Sequence, residues 1–203
     1  MPIQFQINNP RNKILVWYLT ESEQELQEKV QISENEIFKL SKISVLQMRC
    51  SFLCIRIMVK NLGLSEIKYL KNGKPTLDDG FITISHSGSW VGILYSKENE
   101  VGIDVEKINS RILKIKDRFL TQHEQLEVCN NQVEKMVLCW SAKEALFKKH
   151  GGETVFFREN MEITKIDFEN KLIDTRIRLK DGFKNETLSF FHLDSDYVLV
   201  NTI

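Results

Sequence analysis

The run from Lys13 to Leu19 is mostly apolar and predicts a β-strand, and an acidic helical stretch follows it. Ser33 and Glu36 stand at capping-box spacing. From there a helical pattern runs with little interruption to Gly63, which is placed to end it. Two short stretches, Ile67 to Leu70 and Thr76 onward, flank Asn72-Gly73, a tight-turn signal. Phe81 to Ser85 alternates, Ser87-Gly88 turns, and Trp90 to Ser96 makes the next strand. Asn99 turns again into a strand from Val101 to Glu106.

After that strand the pattern restarts. Thr121 and Glu124 repeat the capping-box spacing, and Val133 to His150 predicts a long helix ended by Gly151-Gly152. Apolar alternation returns in Met161 to Phe168, Thr175 to Leu179, Leu188 to Leu193 and Tyr197 to Val200, with a turn at Asp181-Gly182. Strand, helices and strands, then helices and strands again, imply an α+β protein of two similar lobes. The expected seam lies close to residue 100, with residues 1–100 in one lobe and 101–203 in the other. The strand carrying Asp104 and Glu106 falls at that seam.

Composition narrows the reading. Of 203 residues, 42% are hydrophobic and 28% charged, and the formal net charge is zero. A neutral chain of this kind is an ordinary soluble protein, which argues against a general binder of nucleic acid or membrane surfaces. The apolar run Ile14 to Leu19 is too short for a signal-peptide core or a membrane span, so a cytoplasmic protein is expected. Charge is nevertheless uneven. Lys39 to Leu77 holds eight bases against the single acid Glu66, which fits either a solvated helix face or a polyanionic ligand. The spacings of Cys50, Cys54, Cys129 and Cys139 match no usual zinc pattern, and reduced, partly buried thiols are expected.

Candidate chemistry begins at Gly102-Ile103-Asp104-Val105-Glu106. Side chains alternate across a strand, so Asp104 and Glu106 share a face with Gly102, which leaves room for a close approach. Two carboxylates so placed fit an exposed strand face or a magnesium site, since a hard cation takes oxygen ligands. On the later helix, Ser141, Glu144 and Lys148 fall within about 60° of one another and form a polar stripe amid apolar sequence. That stripe suits a cleft wall better than a surface ion pair. Ser85-His86, ending a strand, is no hydrolase dyad because neighbouring strand residues face opposite ways.

Together these pieces resemble the 4′-phosphopantetheinyl transferases of the longer, two-lobed, surfactin-synthetase-activating type. The resemblance rests on Gly73-Lys74-Pro75, Ile84-Ser85-His86-Ser87-Gly88, Val101-Gly102-Ile103-Asp104-Val105, Arg118-Phe119 with Glu124, and Trp140-Ser141-Ala142-Lys143-Glu144-Ala145-Leu146-Phe147-Lys148. It implies transfer of the phosphopantetheine arm of coenzyme A to a serine of an acyl or peptidyl carrier protein, with 3′,5′-ADP as leaving group. It further implies magnesium on Asp104, Glu106 and Glu144, with Glu144 the general base and Asp104 and Lys148 also catalytic. Coenzyme A contacts fall to Lys74, Ser85, His86, Lys143 and Lys148, with Arg49 and Arg56 set for the 3′-phosphate. A pseudo-twofold pair of lobes, each a mainly antiparallel sheet packed with helices, with the site in the cleft of a monomer, completes the implied picture. Two rival readings are a magnesium-dependent phosphohydrolase or nuclease and a coenzyme A-binding module without turnover.

Overall fold

A computed structural model describes residues 3–8, 11–151 and 156–203. Gly152, half of the expected helix stop, lies outside the described residues. The chain divides into two compact units, Met1–Asn99 and Glu100–Ile203.

The first unit opens with β1 (Ile3–Asn8) and β2 (Asn12–Tyr18), followed by helices α1 (Glu23–Lys29), α2 (Glu34–Ser41) and α3 (Leu46–Asn61). The small hairpin β3 (Lys68–Tyr69) and β4 (Pro75–Thr76) and the strands β5 (Phe81–Ser87) and β6 (Trp90–Ser96) complete it. The main sheet runs β1-β2-β6-β5, every pair antiparallel. Trp17, Leu26, Leu53, Met58 and Ile93 fill the core between sheet and helices.

One expectation is corrected here. The helical run from Ser33 to Gly63 is two helices, broken between Lys42 and Val45. The break is satisfied by Arg49, whose Nη1 donates to the carbonyls of Leu40 (2.9 Å) and Ile43 (3.3 Å) at the end of α2. Carbonyls that lose their helical partners at a C-terminus need such donors. Gly63 ends α3 as expected, in the left-handed region at φ 68°.

The second unit begins with β7 (Ile103–Lys107), then a 3₁₀ turn at Ser110–Lys114, α4 (Lys116–Phe119) and a π-type turn at Glu124–Val128. The long helix α5 (Val133–His150) follows, then α6 (Phe157–Asn160), β8 (Met161–Asp167), β9 (Leu172–Leu179), β10 (Gly182–His192) and β11 (Tyr197–Thr202). The sheet order is β7-β11-β10-β9-β8, again wholly antiparallel. The fold class is therefore α+β with antiparallel sheets and packed helices. Helix α5 draws its stability from Ala, Leu, Glu and Lys in its sequence and ends in Lys148, Lys149 and His150, cations suited to the negative end of a helix dipole. Its apolar side buries Val137, Leu138, Ala142 and Leu146 in the core with Ile163, Ile177, Phe190 and Val198.

Candidate active site

The close approach that Gly102 permits is made by α5. A Cβ built on Gly102 would stand 1.8 Å from the carbonyl oxygen of Ala145, so only glycine lets the start of β7 pass the helix backbone. Gly102 is held there by exchange with Thr202, whose hydroxyl accepts from its N–H at 3.0 Å and whose N–H donates back to its carbonyl at 2.9 Å. By strand alternation Asp104 and Glu106 then face α5 as well, while Ile103 and Val105 bury on the opposite side.

Helix α5 supplies the partners. Ser141 donates to Asp104 Oδ2 at 2.9 Å, and Lys148 Nζ sits 2.7 Å from Asp104 Oδ1 while also donating to the Ile103 carbonyl at 2.9 Å. The indole of Trp140 donates to Glu106 Oε1 at 2.8 Å. Its ring is fixed edge-on by Phe119 at 5.1 Å and by a tilted contact with Phe157 at 5.3 Å. Glu144 stands half-buried on the same helix, close enough to Asp104 and Lys148 to feel both charges.

Glu106 and Glu144 hold their protons unusually well. Burial, reinforced by the charge on Asp104, pushes Glu106 up to about 7 against the opposing hydrogen bond from Trp140. Glu144 is raised for the same two reasons, with Lys148 working the other way. Among the described residues no three His, Cys, Asp or Glu side chains stand close enough to ligate one ion. The donor set still fits a hard divalent cation. Three half-buried or buried carboxylates face one lysine, and the raised proton affinity of Glu106 and Glu144 is an unmet demand for positive charge.

The sequence-predicted residues separate into groups. Asp104, Glu106, Glu144 and Lys148 come together around β7 and α5. Lys74, at the β3–β4 hairpin, and Ser85 and His86, adjacent on β5, lie in the first unit. Ser85 is buried and His86 exposed, in keeping with their opposite faces.

Two expectations need correction, and a third meets a competitor. Lys143 has no exposed surface: its ammonium pairs with Glu124 at 2.6 Å and donates to the Phe119 carbonyl at 2.7 Å. It is a structural lysine and offers a diphosphate no face. Arg56 is buried too, with Nε on Glu36 at 2.8 Å and its guanidinium 3.4 Å from the centre of the Phe52 ring. Arg49 pairs with Glu23, Nε to Oε2 at 2.8 Å, besides holding the end of α2, so a phosphate would have to compete with that carboxylate.

Two features escaped the sequence reading. One is the indole of Trp140 as a donor, foreshadowed only by the rule that a buried Trp N–H seeks an acceptor. The other is the reach of Glu124 beyond its expected capping box, to Ile163 and Lys143. Its Oε2 closes the capping box with Thr121, while Oε1 accepts from the Ile163 N–H at 3.0 Å and pairs with Lys143.

This geometry agrees with a class assignment. The 4′-phosphopantetheinyl transferase superfamily matches residues 100–200, and the chain belongs to that superfamily. It is 32% identical over 151 residues to 4′-phosphopantetheinyl transferase gsp of Aneurinibacillus migulanus, covering 66% of this chain and 63% of that protein. Over 115 residues it is 33% identical to 4′-phosphopantetheinyl transferase AcpT of Salmonella typhi, covering 51% and 60%. Over 95 residues it is 32% identical to 4′-phosphopantetheinyl transferase Sfp of Bacillus subtilis strain 168, covering 45% and 42%. The chain thus spans less than two-thirds of the length of each of these relatives. Among the described residues no helix is long and apolar enough to cross a membrane.

Proposed function

We propose that this chain transfers the 4′-phosphopantetheine arm of coenzyme A to a serine of an acyl or peptidyl carrier protein, releasing 3′,5′-ADP, as a cytoplasmic monomer. The observation that carries the reading is the pairing of β7 with α5. It sets Asp104, Glu106, Glu144 and Lys148 in one half-buried cluster, inside the segment that matches the superfamily. The names of the relatives support the same chemistry.

Asp104, Glu106 and Glu144 are the residues to hold magnesium, which when bound would offset the negative charge of a diphosphate during transfer. Ser141 and Trp140 orient Asp104 and Glu106 by hydrogen bonds, so neither carboxylate has to be ordered when substrate arrives. Glu144, with its raised proton affinity, accepts the proton of the carrier serine as its oxygen attacks the phosphorus of the phosphopantetheine arm. The bond from that phosphorus to the bridging oxygen breaks, and Lys148 meets the charge left on the 5′-phosphate of the departing 3′,5′-ADP. Lys74, Ser85 and His86 are the proposed coenzyme A contacts of the first unit.

The test is incubation with coenzyme A, magnesium and an apo-carrier protein, followed by the intact mass of the carrier. A gain of one phosphopantetheine arm, lost in Asp104→Ala, is the expected result. Phosphate release with an unmodified carrier would instead identify a phosphohydrolase. Tight coenzyme A binding with no turnover would identify a binding module.

A further inference from the structure

Cys129 and Cys139 take no part in the proposed transfer. Their sulfurs lie 3.5 Å apart, and both side chains are fully buried. Cys139 sits on α5. Cys129 closes the π-type turn, its N–H donating to the Glu124 carbonyl at 2.8 Å. The two residues after it, Asn130 and Asn131, both adopt the left-handed region, at φ 45° and 55°. Consecutive left-handed residues bearing side chains are uncommon, and here they follow directly on Cys129 in a turn that packs against the long helix.

We propose that Cys129 and Cys139 form a reversible dithiol–disulfide site, oxidised by a two-electron oxidant of the peroxide class. Opening of the turn admits the oxidant. The Cys129 thiol gives up its proton and its sulfur attacks one peroxide oxygen; the O–O bond breaks, and the departing hydroxide takes up that proton, leaving a sulfenic acid and one water. The Cys139 sulfur then attacks the Cys129 sulfur. The S–O bond breaks, the Cys139 proton leaves with the hydroxyl as a second water, and the S–S bond forms. The two sulfurs lose two electrons and the peroxide gains them. The division of roles follows the surroundings: the hydrogen bond from Cys139 lowers the Cys129 thiol against the opposing effect of burial, whereas the same contact and burial raise Cys139.

Cys50 and Cys54 are an internal control. Both are buried on α3, and burial raises both thiols. Burial alone therefore does not distinguish the pairs; the meeting of two sulfurs across two elements does.

The full chain, folded, is treated with hydrogen peroxide, quenched, alkylated in denaturant and mapped by peptide mass. The expected product is a Cys129–Cys139 cross-link, formed at least about tenfold faster than any oxidation of Cys50 or Cys54 and reversed by dithiothreitol. In Cys129→Ser the cross-link is absent and Cys139 remains a thiol. Should that variant fail to fold, the wild-type map decides alone. Oxidation confined to Cys50 or Cys54, irreversible oxidation at Cys129, or a cross-link seen only in denaturant would overturn the proposal.

Discussion

Glu144 is asked both to ligate a cation and to accept a proton, and Glu144→Gln separates the two. Glutamine keeps one coordinating oxygen and loses basicity. Turnover is expected to fall about 10²–10⁴-fold, the usual worth of a positioned proton acceptor. Coenzyme A binding with magnesium, read by calorimetry, is expected to weaken less than in Asp104→Ala. Near-normal single-turnover rates in Glu144→Gln would remove the base role. Arg49 illustrates the opposite case, a residue already engaged by structural partners. Arg49→Ala is expected to lower the melting temperature by unlinking α1 and the end of α2 from α3. Discrimination between coenzyme A and its 3′-dephospho form is expected to be unchanged. A mutant that loses that discrimination while keeping its stability would restore the phosphate contact.

At the level of elements, what the sequence shows most clearly is what local physics decides. Val133 to His150 is a helix because its propensities and periodicity agree, and it runs over those residues. The carboxylate face of β7 and the polar stripe of α5 followed from periods of two and 3.6. Two features were not legible. The break between α2 and α3 depends on Arg49 reaching back to α2, and no local pattern encodes that contact. The fate of Lys143 depends on Glu124, nineteen positions earlier in the chain. Breaking a buried pair from one side leaves an uncompensated charge, so Lys143→Met is expected to cost about 3–5 kcal/mol in urea unfolding. Adding Glu124→Gln removes the stranded charge while keeping an acceptor for Thr121, and is expected to recover most of that loss. Strictly additive effects would mean that the two side chains do not interact. Gly102→Ala is expected to prevent stable folding of the second unit, because the obstacle is the backbone of Ala145 rather than a side chain that can rotate. Wild-type unfolding behaviour in that variant would contradict the close approach.

For the molecule as a whole, the α+β class was legible because the restart of strand and helix patterning is a property of the entire chain. The response of its stability to pH was not. One part of that response comes from Glu186, an unremarkable acid in a strand with alternating pattern. Burial would raise its proton affinity, but Lys149, His150 and Lys184 surround it at 2.7, 2.7 and 2.9 Å. Their hydrogen bonds hold its carboxyl far below the ordinary value of 4.5. A carboxylate depressed on folding contributes stability that is complete above its unfolded value. The contribution drains away as pH falls toward the folded value, because the unfolded chain then binds the proton first. Because Glu186 lies on β10 and two of its partners end α5, the contribution ties the helix carrying Glu144 and Lys148 to the sheet. Glu186→Gln is therefore expected to lose about 1.5–3 kcal/mol near neutral pH, the range of a charge-assisted hydrogen bond. The gap from wild type should stay level down to about pH 5 and shrink below 4.5, where the unfolded carboxyl takes up its proton. Calorimetric melting of both proteins from pH 7 down to about pH 3 reads this directly. A gap of constant size throughout would mean that the ionised carboxylate contributes nothing and that glutamine merely packs less well.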